Sequence, residues 1–492
     1  MWTRLRAASL SSGVLVLVLT AFNLAFRIGQ ERVQVWDESL YALSAYEMLA
    51  SGDWIRTTLF GELDYYNAKP PLNVWLITLA FQAFGVSITT LRLPSIVAGW
   101  TTVALLWWWQ RRSIDAPTAT VAALVLSTCY GFLYVHSARE ANTDALFTLL
   151  FLLTAITLWA GRLQPWRRAW LGPILAAVFL LRGMAVVMPV VFIALVECGT
   201  RRDVRTRWLP LITAAVICIG LITPWAVARW QIDGGVLFHQ LFFQDFVART
   251  TTPLDGHHGS LLFYLHVLQK NHYDWLIAAV VCIACMPQRW AYLRDSITGA
   301  SNRPMVLLLA SWSIAVWVIP TLTATKVAWY LNPFFPLFAA GVAWLMVRAW
   351  EQNRAWRPRH AAAIVSVAAL AFTVAESKLA WHSYRDRDIA GSTQELILTH
   401  ADRISGYHVY AASWDLADVF VLRSVGGKWG TARDADEFMA TSSAGEFWIR
   451  APGTMFRRMS NGEVAVVTGT APSVLSIRSQ ASSAEAFLIG LD

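Results

Sequence analysis

Acidic and basic side chains stand next to long apolar runs in the first part of this sequence. Asp37 and Glu38 follow directly on the first apolar run, and Lys69 precedes a double proline at the start of another. Charges so near hydrocarbon are costly unless they face water, a partner or a ligand. A carboxylate there can accept a proton from a hydroxyl or amine, and a lysine can hold a phosphate. We therefore interpret residues 29–93 as one wall of an active site at the membrane surface.

These residues also have simpler structural explanations. Asp37 and Glu38 open the helical pattern ESLYALSAYEMLA, where acids can cap a helix at the positive end of its dipole. Lys69 can be an interfacial lysine whose amine reaches the headgroups. A cap does not require a membrane exit, so we predict that both acids are catalytic and that Lys69 and Tyr41 bind substrate.

A second charged cluster, SAREANTDALF, lies where one apolar run ends and the next begins. Thr143 or Asp144 can simply cap the following helix. However, two carboxylates from separate segments beside cations form an arrangement that group transfer needs. We predict that Asp144 is catalytic and that Arg139 binds substrate.

Two later segments add further candidates. Arg249 can bind a phosphate with two hydrogen bonds, and His257 and His258 are possible metal ligands or general acids. Adjacent histidines seldom ligate one ion, and no HxxxH or HxH spacing is present, so we assign no metal to them. Lys326 and Tyr330 lie four apart, a spacing that puts them on one face of a helix. We expect Arg249, Lys326 and Tyr330 to bind substrate, with interfacial positions as the alternative.

The amino-acid composition indicates what kind of protein holds these residues in place. The chain has 492 residues, of which 56% are hydrophobic and 15% are charged, and its mean hydropathy is +0.45. Such values are typical of a membrane protein with many spans. The net charge of +8 comes from arginines clustered between apolar runs, so we expect no nucleic-acid partner. The five cysteines, Cys282 and Cys285 included, lie in or beside apolar runs and predict no disulfide framework.

Hydropathy predicts eleven membrane spans in a helical bundle. The segments are 10–28 (an uncleaved first helix), 94–109, 117–135, 144–161, 170–181, 184–197, 208–228, 274–286, 304–322, 329–347 and 361–380. The run 72–88 is ambiguous. If it lies along the outer interface, the arginine clusters of the short loops all face the cytoplasm, as the positive-inside rule requires. We therefore predict a cytoplasmic N-terminus, an outer C-terminus and a hairpin that turns at Arg182-Gly183.

This topology places all the candidate residues on the outer side, although only arginine clusters determined the orientation. The composition changes after residue 382, where short β-like runs such as YHVYAA, EFWIR and VAVVTG alternate with turn residues. We predict a membrane domain over 1–382, with juxtamembrane helices in 29–93, and a small extracytoplasmic α/β domain over 383–492.

The order of these motifs resembles a known family. The runs WDESLYALSAYEMLASGDWIRTTLFGELDYYNAKPPLNVW, SAREANTDALF, LRGMAVVMPVV and TKVAWYLNPFFP are similar to blocks of the bacterial GT-C glycosyltransferases. Within these they are most similar to the aminoarabinose (lipid A) transferases and the wider protein O-mannosyltransferase-like superfamily. The resemblance covers most of residues 1–350.

The resemblance implies inverting transfer of a sugar from a polyprenyl phosphate, such as undecaprenyl phosphate, at the periplasmic face of the bacterial inner membrane. The acceptor would be a lipid, a glycan or a protein. It implies that Asp37 is the loop carboxylate, that Asp144 is the second acid, and that Lys69, Arg249 and Tyr330 hold the donor phosphate. Fixed cations suit this chemistry because the leaving phosphate gains charge as the glycosyl bond breaks.

One position departs from the family. Glu often precedes the Lys-Pro-Pro motif and can take part in metal coordination, but this chain has Ala68 there. No cofactor is therefore certain, and a divalent metal stays possible.

Two other functions stay open, a transporter or flippase of a lipid-linked sugar and a scaffold without activity. A transporter would place ionisable residues near the middle of the bilayer and often shows repeat symmetry. Here the predicted span centres carry almost no charge, and we find no internal repeat. We therefore favour the enzyme.

Overall fold

The computed structural model describes residues 2–200, 204–254, 256–286, 289–355, 357–451, 454–461 and 464–467. Most of them lie in helices, as the sequence predicts. The α-helices are α1 Trp2–Ala25, α2 Asp37–Ser51, α3 Leu72–Phe84, α4 Ile88–Ser113, α5 Ala116–Ser127, α6 Tyr130–Tyr134, α7 Asp144–Gly161, α8 Leu171–Arg182, α9 Val187–Gly199, α10 Val204–Asp233, α11 Val236–His239, α12 Arg249–Thr251, α13 Phe263–Cys285, α14 Arg289–Thr298, α15 Arg303–Leu322, α16 Phe335–Asn353, α17 Pro358–Trp381, α18 Thr393–Thr399, α19 Ala401–Ile404, α20 Leu416–Ser424 and α21 Ala435–Thr441.

Shorter elements join these helices. Four 3-10 helices cover Ile28–Gln30, Pro165–Trp170, Gly183–Val186 and Ala328–Phe334, and two π-helices cover Gln240–Ala248 and His382–Asp386. The strands are β1 Thr58–Leu59, β2 Glu62–Leu63, β3 His408–Ala411, β4 Lys428–Thr431, β5 Phe447–Ala451, β6 Thr454–Arg458 and β7 Val464–Val467.

Apolar helices make this chain a multi-pass membrane protein. Within the described ranges, seven helical stretches are long and apolar enough to cross a bilayer: Ser11–Gln30, Asp144–Gly161, Pro165–Gly199, Trp208–Asp233, Arg303–Leu322, Ala328–Asn353 and Pro358–Asp386. The other predicted spans fall in α4, in α5 with α6, and in α13. The total of eleven crossings stays a prediction.

Helices α8 and α9 form the predicted hairpin. Arg168, just before α8, donates to Glu197, near the end of α9, at 2.7 Å, so the far ends of the two helices lie together. Gly183 makes the turn with φ of +55°, a left-handed conformation that glycine adopts without a steric penalty. The turn therefore presents Arg182 at the tip of the hairpin.

Helix α3 corresponds to the ambiguous run 72–88. Its 13 residues span about 20 Å, less than the apolar thickness of about 30 Å that a bilayer requires. The helix packs against α2 and α4, and Phe81 stacks on Phe420 of α20 with the ring centroids 6.0 Å apart. Thus α3 lies against the C-terminal part of the chain.

The C-terminal region contains a five-stranded sheet with strand order β4-β3-β5-β6-β7. Strand β3 pairs in parallel with β4 and β5, whereas β5, β6 and β7 form an antiparallel meander. The predicted β-like runs coincide with β3, β5 and β7. Strand β4 carries no apolar alternation, because its side chains are mostly exposed, and the sequence prediction missed it.

Hydrogen bonds connect the segment after α17 to the beginning of the 29–93 segment. The Glu31 carboxylate accepts hydrogen bonds from Arg139 at 2.5 Å and from Ser383 at 2.8 Å. The Gln394 amide pairs with both backbone groups of Val33, at 2.9 and 3.2 Å. Residues far apart in the chain are thereby fixed side by side.

A buried ion pair fixes the start of α2. The Glu38 carboxylate accepts hydrogen bonds from Arg92 at 2.7 and 2.9 Å, and both side chains are fully buried. The backbone amides of Gln34 and Ala141 also donate to it. Burial raises the pKa of Glu38, but the charge and hydrogen bonds of Arg92 outweigh this effect and lower the pKa overall. Protein donors enclose the Glu38 carboxylate and Glu38 does not line the cavity described below, so this structure gives its predicted catalytic role no support.

Removing Arg92 should destabilise the whole 29–93 segment. Arg92→Met leaves Glu38 as an unpaired buried charge, a change that costs about 3–5 kcal/mol. We expect a clear fall in Tm in detergent, measured by thermal shift. The double variant with Glu38→Gln should recover part of the loss, since it removes the unpaired charge. An unchanged Tm for Arg92→Met would contradict the anchoring role.

The contact between α3 and α20 predicts a second stability effect. Phe81→Ala removes a buried ring from this interface and should cost about 3–5 kcal/mol. We expect faster proteolytic release of the C-terminal region. Phe84→Ala on the same helix is the matched control, because Phe84 is 70% exposed. Equal proteolysis of the two variants would argue against the interface.

Candidate active site

A cavity of about 520 Å³ collects side chains from five separate parts of the chain. Its polar lining consists of Asp37, Asn67, Lys69, His136, Thr143, Arg182, Asp245, Arg249, Thr250, His257, Thr323 and Tyr330, with Trp36, Tyr66 and Trp329 beside them. Apolar side chains, among them Phe147, Met188 and Ile319, cover the rest. Both polar and apolar groups of a ligand can therefore be accommodated.

Asp37 is the first residue of α2. The residue before it, Trp36, has φ of +78° and makes no side-chain capping bond. The Asp37 carboxylate lies 3.7 Å from the Lys69 amine and 3.9 Å from the Nδ1 atom of His136. Burial raises the pKa of Asp37, but Lys69 and the other nearby positive charges outweigh it and hold the pKa below its usual range. Asp37 is therefore a carboxylate at neutral pH.

Lys69 reaches the cavity from the stiff turn before α3. Burial lowers its pKa, but the charge of Asp37 and the Tyr41 hydroxyl outweigh burial and raise it, so the amine stays protonated. The Lys69 amine lies 5.3 Å from the centre of the Tyr41 ring. Tyr41, predicted to bind substrate, is outside the cavity lining and instead supports Lys69 from behind.

Arg182 enters the cavity from the tip of the α8–α9 hairpin. Its guanidinium donates to Asp144 at 2.5 Å and lies 5.8 Å from the ring centre of Tyr330. Asp144 is buried behind Arg182 and is not part of the lining. Its predicted catalytic role is therefore revised: Asp144 holds a cation in place and does not contact the cavity itself.

The region around α12 forms another wall. Arg249 and Asp245 both line the cavity and form an ion pair at 2.9 Å. His257 also lines it, whereas His258 is exposed and faces the carbonyl of Gly256. The structure thus brings Asp37, Lys69, Arg249, His257 and Tyr330 together, as expected, and leaves His258 outside.

Two predicted substrate-binding residues lie elsewhere. Arg139 is buried and binds Glu31 and the backbone carbonyls of Asn23 and Phe26. The Lys326 amine donates to the carbonyls of Thr321 and Thr323, at 2.7 and 2.8 Å.

Lys326 also precedes the 3-10 helix that begins at Ala328, so the predicted shared helix face with Tyr330 is wrong. Both Arg139 and Lys326 satisfy backbone groups and do not line the cavity.

Sequence reasoning did not name several residues of the cavity lining, among them His136, Asp245 and Trp329, and it named Arg182 only as the turn of a hairpin. An available signal for Arg182 was a charge beside a glycine at the turn of an apolar hairpin. His136 stands just before the SARE motif, at the end of an apolar run. Asp245 and Trp329 gave no comparable signal.

The residues at Asp37 do not fit a bound metal ion. Among the described residues, no three His, Cys, Asp or Glu side chains converge as a metal site. Ala68, where the family often has Glu, supplies no ligand, and the Lys69 ammonium faces the Asp37 carboxylate directly. A fixed cation at that distance would repel a metal.

Several known proteins are similar to this chain in sequence. The sequence model of the dolichyl-phosphate-mannose-protein mannosyltransferases matches residues 68–227. An undecaprenyl phosphate-α-4-amino-4-deoxy-L-arabinose arabinosyl transferase of Pseudomonas fluorescens is 27% identical over 324 residues, 64% of this chain and 54% of that protein. A protein of the same name from Pseudomonas savastanoi is 28% identical over 69% of this chain and 62% of its own length. The chain spans little more than half the length of these curated relatives.

Solved structures share the fold. ArnT from Cupriavidus metallidurans bound to undecaprenyl phosphate has a TM-score of 0.63 and 19% identity, covering 87% of each chain. The Archaeoglobus fulgidus oligosaccharyltransferase has a TM-score of 0.55 and 12% identity, covering 87% of this chain and 64% of that one. With its helical membrane bundle and small C-terminal sheet, the chain shares the fold of these solved structures, and its sequence is similar to the arabinosyl transferases above.

Proposed function

We propose that this protein transfers a sugar from a polyprenyl phosphate carrier to a hydroxyl or amine of an acceptor. The observation that carries the proposal is the Asp37 carboxylate, held 3.7 Å from the Lys69 amine inside a cavity that also contains Arg182 and Arg249. One group can receive a proton while the others hold a phosphate, and glycosyl transfer needs both.

The reaction has one displacement step. The acceptor oxygen or nitrogen attacks the anomeric carbon, its proton passes to Asp37, and the bond from that carbon to the phosphate oxygen breaks. The bonding electrons leave with the phosphate, which gains negative charge. Attack from the face opposite the leaving group inverts the anomeric carbon.

Three cations suit the leaving phosphate. Lys69, Arg182 and Arg249 belong to separate parts of the chain and are held by ion pairs or hydrogen bonds before any ligand arrives. Donors fixed in advance stabilise developing charge without reorganising during the reaction. Tyr330 stands beside Arg182 and can donate to a further phosphate oxygen.

Binding of the donor also prepares the base. The surrounding cations hold the pKa of Asp37 low, which makes it a weak base before the donor binds. A phosphate between those cations offsets part of their field, so Asp37 gains proton affinity only when the donor is bound. Asp37 is therefore a better proton acceptor when the donor is bound, and it resists protonation by solvent when the donor is absent.

The apolar side of the cavity suits an isoprenoid chain. Phe147, Met188 and Ile319 all belong to apolar helices and line the cavity next to its charged part. A lipid lying along these helices would place its phosphate among the cations.

The relatives indicate the donor. The curated relatives are named for undecaprenyl phosphate-linked aminoarabinose, and one fold neighbour is bound to undecaprenyl phosphate. We propose undecaprenyl phosphate as the carrier and a lipid, glycan or protein as the acceptor. We also propose a bacterial inner-membrane location with a cytoplasmic N-terminus, a membrane domain over 1–382 and a periplasmic domain over 383–492. A flippase is less well supported, because the relatives are transferases.

Asp37→Asn should abolish transfer. The amide keeps the shape of the side chain but cannot accept the proton, and loss of a general base typically costs about 10²–10⁴-fold in rate. The assay follows radiolabel from an undecaprenyl-phosphate sugar into membrane acceptors, with protein level and Tm as controls. Wild-type turnover in this variant would exclude Asp37 as the base.

Lys69→Ala should mainly weaken donor binding. Loss of a charged hydrogen bond, worth about 1.5–3 kcal/mol, predicts a donor KM about 10- to 100-fold higher. Lys326→Ala is the comparison, since the Lys326 amine is bound to backbone carbonyls outside the cavity lining. It should affect Tm more than donor KM. An unchanged donor KM in Lys69→Ala would argue against a contact between the Lys69 amine and the donor phosphate.

A further inference from the structure

His136 has an unusual backbone conformation at the cavity wall. Its φ is +54°, in the left-handed region that residues with a Cβ atom rarely adopt. Such residues persist where the surrounding structure holds them, and they concentrate at functional sites. The imidazole stacks on Trp329, with ring centroids 3.8 Å apart and planes 10° from parallel. Its orientation is therefore set by this stack.

The His136 ring lies beside the Asp37 carboxylate. Nδ1 lies 3.9 Å from the Asp37 carboxylate, and the imidazole also interacts electrostatically with Asp144. The Nδ1 atom is buried and, among the described residues, has no hydrogen-bond partner in this structure. The imidazole is thus placed to act on the charge of Asp37 while its own nitrogen is not engaged elsewhere.

Other charged groups around His136 are already paired. Arg139 and Glu140 of its own segment bind Glu31 and Arg387. On the segment of Trp329, the Lys326 amine is bound to backbone carbonyls. The cations that share Asp37 with His136 are Lys69, Arg182 and Arg249. Of these residue types, histidine is the one whose side chain can gain or lose a proton between pH 5 and 8.

We propose that His136 is a positioning residue that sets the basicity of Asp37, an inference that rests on the proposed function. The neutral imidazole leaves Asp37 able to accept the acceptor proton. Protonation of His136 adds a positive charge beside that carboxylate, so Asp37 holds the incoming proton less well and transfer slows. No covalent bond to His136 forms or breaks.

The pH dependence of transfer distinguishes the effect of His136 from the effects of Asp37 and of the donor phosphodiester. Asp37, with its pKa held low, stays ionised above pH 5, and the donor phosphodiester does too. A fall in kcat between pH 8 and 5.5 must then come from another group. A single protonation that blocks transfer lowers kcat by about tenfold per pH unit on its acid side.

The test compares kcat and donor KM of the wild type and His136→Gln from pH 5.5 to 8, with radiolabelled undecaprenyl-phosphate aminoarabinose and the same membranes as acceptor. We expect the wild type to lose about tenfold in kcat at the acid end, and His136→Gln to show a flat profile with its donor KM within about twofold. His257→Gln is the matched control, because His257 lines the same cavity and contacts the same tryptophan but not Asp37. It should keep the acid decrease.

A second pair of variants tests the stack. Trp329→Phe keeps an aromatic partner for the imidazole and should retain the wild-type pH profile, whereas Trp329→Ala should lower kcat and flatten the profile. This pair decides the matter if His136→Gln does not fold. The proposal is overturned if the acid decrease persists in a folded His136→Gln variant, if it persists in Trp329→Ala where His136→Gln does not fold, or if the wild type lacks it.

The two proposals fail in different ways. If Asp37→Asn is inactive while His136→Gln keeps the acid decrease, only the role of His136 is wrong. If Asp37→Asn retains transfer, the proposed function itself is wrong.

Discussion

The buried pair of Glu38 and Arg92 is the interaction on which the rest of the site depends. Each charge alone would be very costly to bury, and the two are tolerated together because the carboxylate receives both guanidinium and backbone donors. Arg92 also donates to backbone carbonyls of Ile28 and Arg32. The start of α2 is therefore tied to the chain before it and to α4, and Asp37, one residue earlier, has little freedom.

The acids near the cavity have two kinds of position. Asp37 and Asp245 line the cavity, whereas Asp144 lies outside the lining and forms an ion pair with Arg182, which does line it. This pairing holds the Arg182 guanidinium at the cavity before a ligand binds, and it avoids the cost of a buried charge without a partner. For this reason, the number of acids near the membrane surface in the sequence exceeds the number that line the cavity.

Sequence reasoning identified the class of fold and the parts of the chain that meet, because apolar length and charge position are local properties. Asp37, Lys69, Arg249 and Tyr330 line one cavity, as that reasoning expects, and their roles stay predictions. It failed for Glu38, Arg139 and Lys326, whose partners are backbone carbonyls or a distant arginine that no local pattern reveals. Trp329 and Asp245 were missed because an aromatic or an acid in an interfacial segment has many ordinary explanations.

The hydrogen bonds between the 29–93 segment and the residues after α17 have a consequence for synthesis. Glu31 and Val33 find Ser383 and Gln394 only after more than three hundred further residues have been made. Until then, Glu31 and Val33 lack these ties, and the wall that bears Asp37 is incompletely held. A nascent chain that ends before Ser383 therefore contains Asp37 without the contacts that hold its segment in place. We expect the site to take its final form only after residues 383–394 have been synthesised.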